Sequence, residues 1–220
     1  MAHQAVGVGQ AMAEHVVDLA SWPRAGQFHL FRSYQSPHFA LTSRIDVTAM
    51  TRQAWAQGFS TYRACLFAIG AGVSAVPEMR TRIRGNKVVL HEKVDLSMTV
   101  PRGDGTFGYA YVPFEAEFAR FDASCADIIA RTAAGANLAA NTGQRDDLIY
   151  LSCLPWFDFT SLNNAMPGPG DCIPRLSWGK FVDHGERRDM AVAVEVHHAL
   201  VDGAHLGAFL GVMQDTLDAL

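Results

Sequence analysis

Near the carboxyl end of this 220-residue chain, His197 and His198 stand side by side, and Asp202-Gly203 follows four residues after the second histidine. A neutral imidazole near pH 7 can take a proton from a hydroxyl and return it, a contribution of about 10²–10⁴-fold in rate. Asp202 admits three readings: it pairs with His198, it braces the turn through an arginine elsewhere, or it joins the histidines around a metal. With His205, the set has the residue types of a ligand cluster. Adjacent side chains on a strand point to opposite faces, however, so His197 and His198 are not expected to share one ion, and no metal is assigned.

The flanking segments must aim these groups. Met190–Val196 (MAVAVEV) is small, apolar and valine-rich, which predicts a buried strand. From Ala204 to Leu220, apolar residues recur at three- and four-residue steps (Leu206, Phe209, Leu210, Met213, Leu217), which predicts an amphipathic helix. The histidines therefore fall where a strand ends and a helix is about to begin, and Gly203 allows the sharp turn between them.

The whole run, HHALVDG, resembles the HHxxxDG signature of the chloramphenicol acetyltransferase family. Related forms occur in dihydrolipoamide acyltransferase catalytic domains and in the condensation and plant acyltransferase families. The last two carry two copies of the fold in one chain, whereas a chain of this length is one copy. The resemblance implies a single domain over residues 1–220 with an α/β fold (an α+β two-layer sandwich). It also implies helices packed on one face of a large mixed β-sheet and assembly as a homotrimer.

The match runs through most of the chain. Phe39–Asp46 (FALTSRID) alternates as a strand does and is similar to the family's early F-S-L-T-S-K-I-D strand, with Trp22, Arg24 and Phe28 matching ahead of it. In the family an arginine at the place of Arg24 forms a buried ion pair with the motif aspartate, so the resemblance pairs Arg24 with Asp202. Leu30 and Phe31 fall at acceptor-binding positions. Residues 8–20 look weakly helical. Thr48 and Ser60 are candidate caps for helices through Gln57 and over Thr61–Val76. Tyr62 falls where the family has an aromatic touching coenzyme A; taken alone it reads as a core tyrosine.

Met79–Arg84, the Gly85-Asn86 turn and Lys87–His91 predict a hairpin, and its arginine-rich strand reads as a solvated face. Strands are expected at Met98–Val100 and Thr106–Phe114. In the family, aromatics of this region line the acceptor pocket, and the resemblance implies that two or three of Phe107, Tyr109, Tyr111 and Phe114 do so here. Asp122–Ala140 reads as an alanine-rich helix capped by Asp122.

A second strong match, Leu148–Asn163, resembles the family's S-A-L-P-W-x-x-F-x-S-F segment. The alignment places the serine that stabilises the oxyanion on Ser161, and Phe159 in the acceptor pocket. Ile173–Phe181 (IPRLSWGKF) is similar to the strand P-x-x-T-M-A-K-Y; Ser177 takes the place of a threonine that holds an ordered water, and Lys180 and Phe181 fall at coenzyme A-binding positions.

Composition sets outer limits. A net charge of −4 leaves no basic footprint for nucleic acid. No apolar run reaches the roughly 18 residues that span a bilayer. No basic segment precedes an apolar one at the start, so no signal peptide is expected, and four cysteines without CxxC spacing suit a reducing cytoplasm. The resemblance then implies direct acetyl transfer from acetyl-coenzyme A, a co-substrate and not a resident cofactor, to a hydroxyl of chloramphenicol. By the same resemblance His198 is expected to be the base and Ser161 the oxyanion donor, with His197 orienting the strand end, and the site is expected to lie between subunits. Phe31 stands for a family tyrosine, residues 33–38 differ throughout, and Val201 replaces a cysteine. These departures bear on the acceptor, which another small alcohol could fill. A dihydrolipoamide acyltransferase-like core and a non-catalytic trimer are the competing readings.

Overall fold

A computed structural model describes residues 13–220. Six strands form the main sheet in the order β2 (His38–Asp46), β9 (Arg187–His197), β8 (Arg175–His184), β7 (Leu148–Leu154), β5 (Asp95–Pro101) and β6 (Phe107–Pro113). The β8–β7 and β7–β5 pairs are parallel and the others antiparallel, so the sheet is mixed, as expected. A smaller three-stranded sheet joins β1 (Glu14–Val16), β4 (Lys87–His91) and β3 (Thr81–Arg84).

The helices are α1 (Ala25–Phe31), α2 (Thr48–Gln57), α3 (Thr61–Ala75), α4 (Phe118–Ala134) and α5 (Gly203–Ala219). Alternation along the strands divides the sheet into two faces. Leu96, Met98 and Val100 of β5, with Ala110 and Val112 of β6, join the core shared with buried Leu66, Ile69 and Val73 of α3 and Leu206, Phe209 and Met213 of α5. Gly72 lets α3 lie against α5, since a Cβ there would come within 2.7 Å of the Phe209 ring.

The opposite face carries polar and aromatic side chains in cross-strand rows. Tyr111 pairs with Ser97, Ser97 with Tyr150, Tyr150 with Arg175, Arg175 with Glu195 and Glu195 with Ala40, one residue from each strand. In the next row Tyr109 pairs with Thr99, Ser152 with Ser177, and Ser177 with Ala193.

Several local expectations give way. Within residues 8–20, positions 8–12 lie outside the described residues, and Glu14–Val16 is a strand that covers the free edge of β4, Glu14 opposite His91. Helix α2 begins at Thr48 without a cap from that hydroxyl; the Asp46 carboxylate accepts from Thr48 N at 2.8 Å instead. Ser60 does cap α3, accepting from Arg63 N at 3.4 Å. Helix α4 starts earlier than Asp122 and stops at Ala134, and Asp122, inside it rather than at its cap, is engaged in a two-pronged ion pair with Arg63 at 2.6 and 2.9 Å.

The arginine-rich strand is not a solvated face throughout. Arg82 is wholly buried and donates to the carbonyls of Met79, Thr81, Asp146 and Leu148. Four backbone acceptors satisfy a guanidinium that has left water. It ties the small sheet to the start of β7.

Candidate active site

Strand β9 delivers the two histidines to one place and sends their rings to different tasks. The His198 backbone N donates to the Pro37 carbonyl at 2.8 Å, which fixes the end of β9 against the segment entering β2. Its ring Nδ1 lies 3.1 Å from the Val201 carbonyl. A carbonyl only accepts, so Nδ1 carries the hydrogen and Nε2 keeps its lone pair. Phe31 stacks on the ring at 3.8 Å between centroids, and Phe39 packs at 4.7 Å, tilted by 52°. The half-buried imidazole is thus held by one hydrogen bond and two aromatic faces, with a basic nitrogen free.

His197 is buried, 3% exposed, and its ring is saturated. Its Nδ1 accepts from Ala199 N at 3.2 Å, which leaves Nε2–H to donate to the Pro169 carbonyl at 3.1 Å. Burial first, and then the neighbouring His38 ring, push its pKa down to about 4. A ring so held stays neutral and joins the strand end to the 163–171 segment. His38 does the same from β2, donating to the Asp171 carbonyl at 2.6 Å.

Of the three readings of Asp202, the arginine brace is the arrangement present. Arg24 NH1 bonds the Asp202 carboxylate, and Arg24 NH2 reaches the His198 carbonyl at 3.4 Å. Burial opposes the charged carboxylate, but the Arg24 hydrogen bond and the charges of His205 and Arg24 outweigh it and hold Asp202 below the usual carboxylate range. Asp202 also caps α5: its carboxylate accepts from Ala204 N at 3.0 Å, while its own N–H donates to His205 Nδ1 at 3.0 Å. The turn between His198 and α5 is therefore locked at both ends.

On the helix-free face of the sheet lies a groove of about 740 Å³. Ser97 and Thr99, Tyr109 and Tyr111, and Tyr150 and Ser152 line it from three strands. Asn141 from the 135–147 segment and Asp171 before β8 close it. Two or three of four aromatics were expected in an acceptor pocket, and two of them, Tyr109 and Tyr111, line this groove. Phe107 is exposed, and Phe114 packs on Phe67 and Phe121. His198 does not line this groove.

The two serines of the LPW segment part company. Ser161 is exposed, in the coil after β7, and does not line the groove. Ser152 lines it from β7, opposite buried Ser177. Ser152 is the first serine of the same matched segment, and the period of two along β7 puts it on the face of Tyr150. That alternation is the signal by which the sequence could have singled it out.

The remaining candidates are spread around this frame. Leu30 is exposed beside half-buried Phe31, and Phe159 packs over Gly179, where a Cβ would come within 3.1 Å of its ring. Lys180 is exposed, and its N–H donates to the Phe157 carbonyl at 2.8 Å. Phe181 and Tyr62 are partly buried against the core, Tyr62 with its ring 5.6 Å from that of Trp178. Cys65, Cys125, Cys153 and Cys172 are all free thiols. Among the described residues no helix is long and apolar enough to cross a membrane.

Comparison with known proteins identifies the family. A family profile described as chloramphenicol acetyltransferase matches residues 12–214. Chloramphenicol acetyltransferase 2 of Escherichia coli is 27% identical over 200 residues, 90% of this chain and 94% of its own. A solved chloramphenicol acetyltransferase structure superposes with a TM-score of 0.88 at 27% identity, covering 93% of this chain and all of its own. A probable dihydrolipoamide acetyltransferase of Listeria monocytogenes shares the fold at a TM-score of 0.66, with 12% identity.

Proposed function

The chain belongs to the chloramphenicol acetyltransferase family, and from that premise we propose that it moves an acetyl group from acetyl-coenzyme A to a hydroxyl of chloramphenicol. The observation that carries the reading is the state of His198, whose Nδ1–H is committed to the Val201 carbonyl while Nε2 is left basic. Nε2 takes the proton of the acceptor hydroxyl as its oxygen attacks the thioester carbonyl carbon. The tetrahedral oxyanion collapses, the carbon–sulfur bond breaks, and the imidazolium returns the proton to the leaving thiolate. The products are the acetyl ester and free coenzyme A. Both substrates are bound together, so no covalent enzyme intermediate is required and positioning supplies much of the rate.

A hydroxyl aimed at the oxyanion is worth roughly 10²–10³-fold. Ser152, which faces the groove beside Ser177, is the better supported donor; Ser161 is the competitor from alignment. The acceptor sits in the groove. Because His198 does not line the groove of its own chain, the base reaches it from a second copy, and a homotrimer with three shared sites completes the enzyme. Leu30, Phe31 and Phe159 are proposed at the acceptor's edge. Tyr62, Phe181 and the exposed amine of Lys180 are proposed along the coenzyme A arm. The four free thiols suit a cytoplasmic setting.

Mixing the protein with acetyl-coenzyme A and chloramphenicol and following free thiol tests the reading. Thiol release that needs both substrates is expected. Release indifferent to chloramphenicol would remove it as acceptor, and a second alcohol series would then find the true one.

A further inference from the structure

The floor of the groove holds a hydroxyl that the reaction above does not use. Ser97 is 2% exposed and lines the groove from β5. Its neighbours in the cross-sheet row are Tyr111 on one side and Tyr150 on the other. Both phenols are committed elsewhere: Tyr111 donates to the Ala139 carbonyl at 2.6 Å, and the Tyr150 oxygen accepts from Asn141 Nδ2 at 2.9 Å. Arg175, next in the row, gives its NH1 and NH2 groups to the Asp171 carboxylate and the Ile173 carbonyl. Ser97 Oγ is left with no hydrogen-bond partner among the described residues. Buried hydroxyls are ordinarily paired, so one that is left over in a cleft wants a partner from whatever fills the cleft.

The surroundings define that partner. Arg175 and Asp171 cancel each other's charge. Glu195 is turned away, accepting from Asn164 N at 2.7 Å and its Nδ2 at 3.1 Å. Three tyrosine rings supply flat apolar faces. The geometry points to Ser97 as a specificity residue: it hydrogen-bonds a second polar group of a neutral, ring-bearing acceptor, while a different hydroxyl of that acceptor is acetylated. This rests on the groove being the acceptor site of the proposed reaction. A positively or negatively charged acceptor would find no counter-charge there, whereas a neutral one meets an unpaired hydroxyl between two rings.

The test is a kinetic split on the full chain with chloramphenicol as the probe, comparing wild type with Ser97→Ala. Loss of one neutral hydrogen bond corresponds to about a three- to tenfold change in binding. The expected result is a rise of that size in the chloramphenicol KM, with the acetyl-coenzyme A KM and the melting temperature held at wild-type values. A chloramphenicol KM unchanged by S97A overturns the assignment. A rise in the acetyl-coenzyme A KM together with a lower melting temperature also overturns it, because the serine would then be structural. A wild type that hydrolyses acetyl-coenzyme A through His198 but neither binds nor acetylates chloramphenicol removes the acceptor itself and the Ser97 role with it. That outcome is read on the wild type alone, so it is distinct from failure of S97A.

Discussion

Phe31 lies flat on the imidazole of His198, with ring centroids 3.8 Å apart and planes within 12°. The stack constrains rotation of the ring about its own bond, and the Val201 carbonyl selects the tautomer. One contact sets where the ring points and the other sets which nitrogen keeps its lone pair. Phe31 thus holds the proposed base in place, and it sits on α1, the helix that follows the Arg24 which ties down Asp202.

His198→Ala removes the free Nε2 and leaves the Arg24–Asp202 brace and the α5 cap untouched. The variant should fold and assemble as wild type does, and its acetylation rate should fall by at least about two orders of magnitude. Thiol release checks the rate and circular dichroism the fold. A variant with unimpaired turnover would remove His198 as the base.

His197 gives a pH dependence of folding with a definite window. Its folded pKa is about 4 against an ordinary value of 6.5. Between those values the unfolded chain binds more protons than the folded one, so stability falls as pH drops from about 6.5 towards 4. The loss is on the order of 3 kcal/mol at the limit. Melting followed from pH 7 to pH 4 should show the decline, and His197→Asn should flatten it. An equally steep decline in the variant would place the titrating group elsewhere.

Asp202→Asn keeps a residue able to cap α5 but removes the charge that faces Arg24. Asp202 is only partly buried, so a loss of about 1–3 kcal/mol is expected at pH 7, short of the cost of stranding a fully buried charge. The Asp202 pKa is lowered in the fold. Its contribution is therefore present above the unfolded value and disappears as pH falls through the folded one. The melting gap between wild type and variant should be open at neutral pH and start to narrow as pH drops below about 3.9, closing at lower pH. Identical melting at pH 7 would count against the ion pair.

Much of this was legible because it was local or patterned. Valine-rich β9, the three-and-four spacing of α5 and the alternation of FALTSRID each report burial directly. The HHxxxDG and LPW runs carried the family, and with it the Arg24–Asp202 partnership across 178 residues of chain, which no periodicity reveals. What stayed hidden depends on distant partners. Asp122 looked like a cap and is an ion-pair partner of Arg63. Arg82 looked solvated because its acceptors are backbone carbonyls, and two of them, Asp146 and Leu148, lie more than sixty residues away. The period of two along β7 could have set Ser152 on the face of Tyr150, but that this face lines a groove, and that Ser161 lies outside it, shows only once the strands are paired.

Arg82→Met tests that buried guanidinium. Methionine fills similar space but offers no donor, so four carbonyls lose their partner at once. A loss of at least about 3 kcal/mol is expected, seen as a lower denaturation midpoint. The folded fraction should keep wild-type KM values, because Arg82 does not line the groove. Unchanged stability would mean the four hydrogen bonds contribute nothing net.

Mixed assemblies test whether the base and the groove belong to different copies. His198→Ala lacks the base and Ser152→Ala lacks the proposed oxyanion donor, so each alone should be weakly active. If each site joins His198 of one copy to Ser152 of the next, co-refolding equal amounts creates some sites with both residues intact. Random assembly makes about a quarter of the sites whole, the chance that the copy giving His198 is the serine variant while the copy giving Ser152 is the histidine variant. Activity should therefore climb to roughly a quarter of wild type on co-refolding, and stay low when the two preformed proteins are merely combined. If both residues came from the same chain, every site would keep one defect and co-refolding would restore nothing. Repeating the pairing with Ser161→Ala decides between the serines, since only the true oxyanion donor is both impaired alone and rescued by mixing.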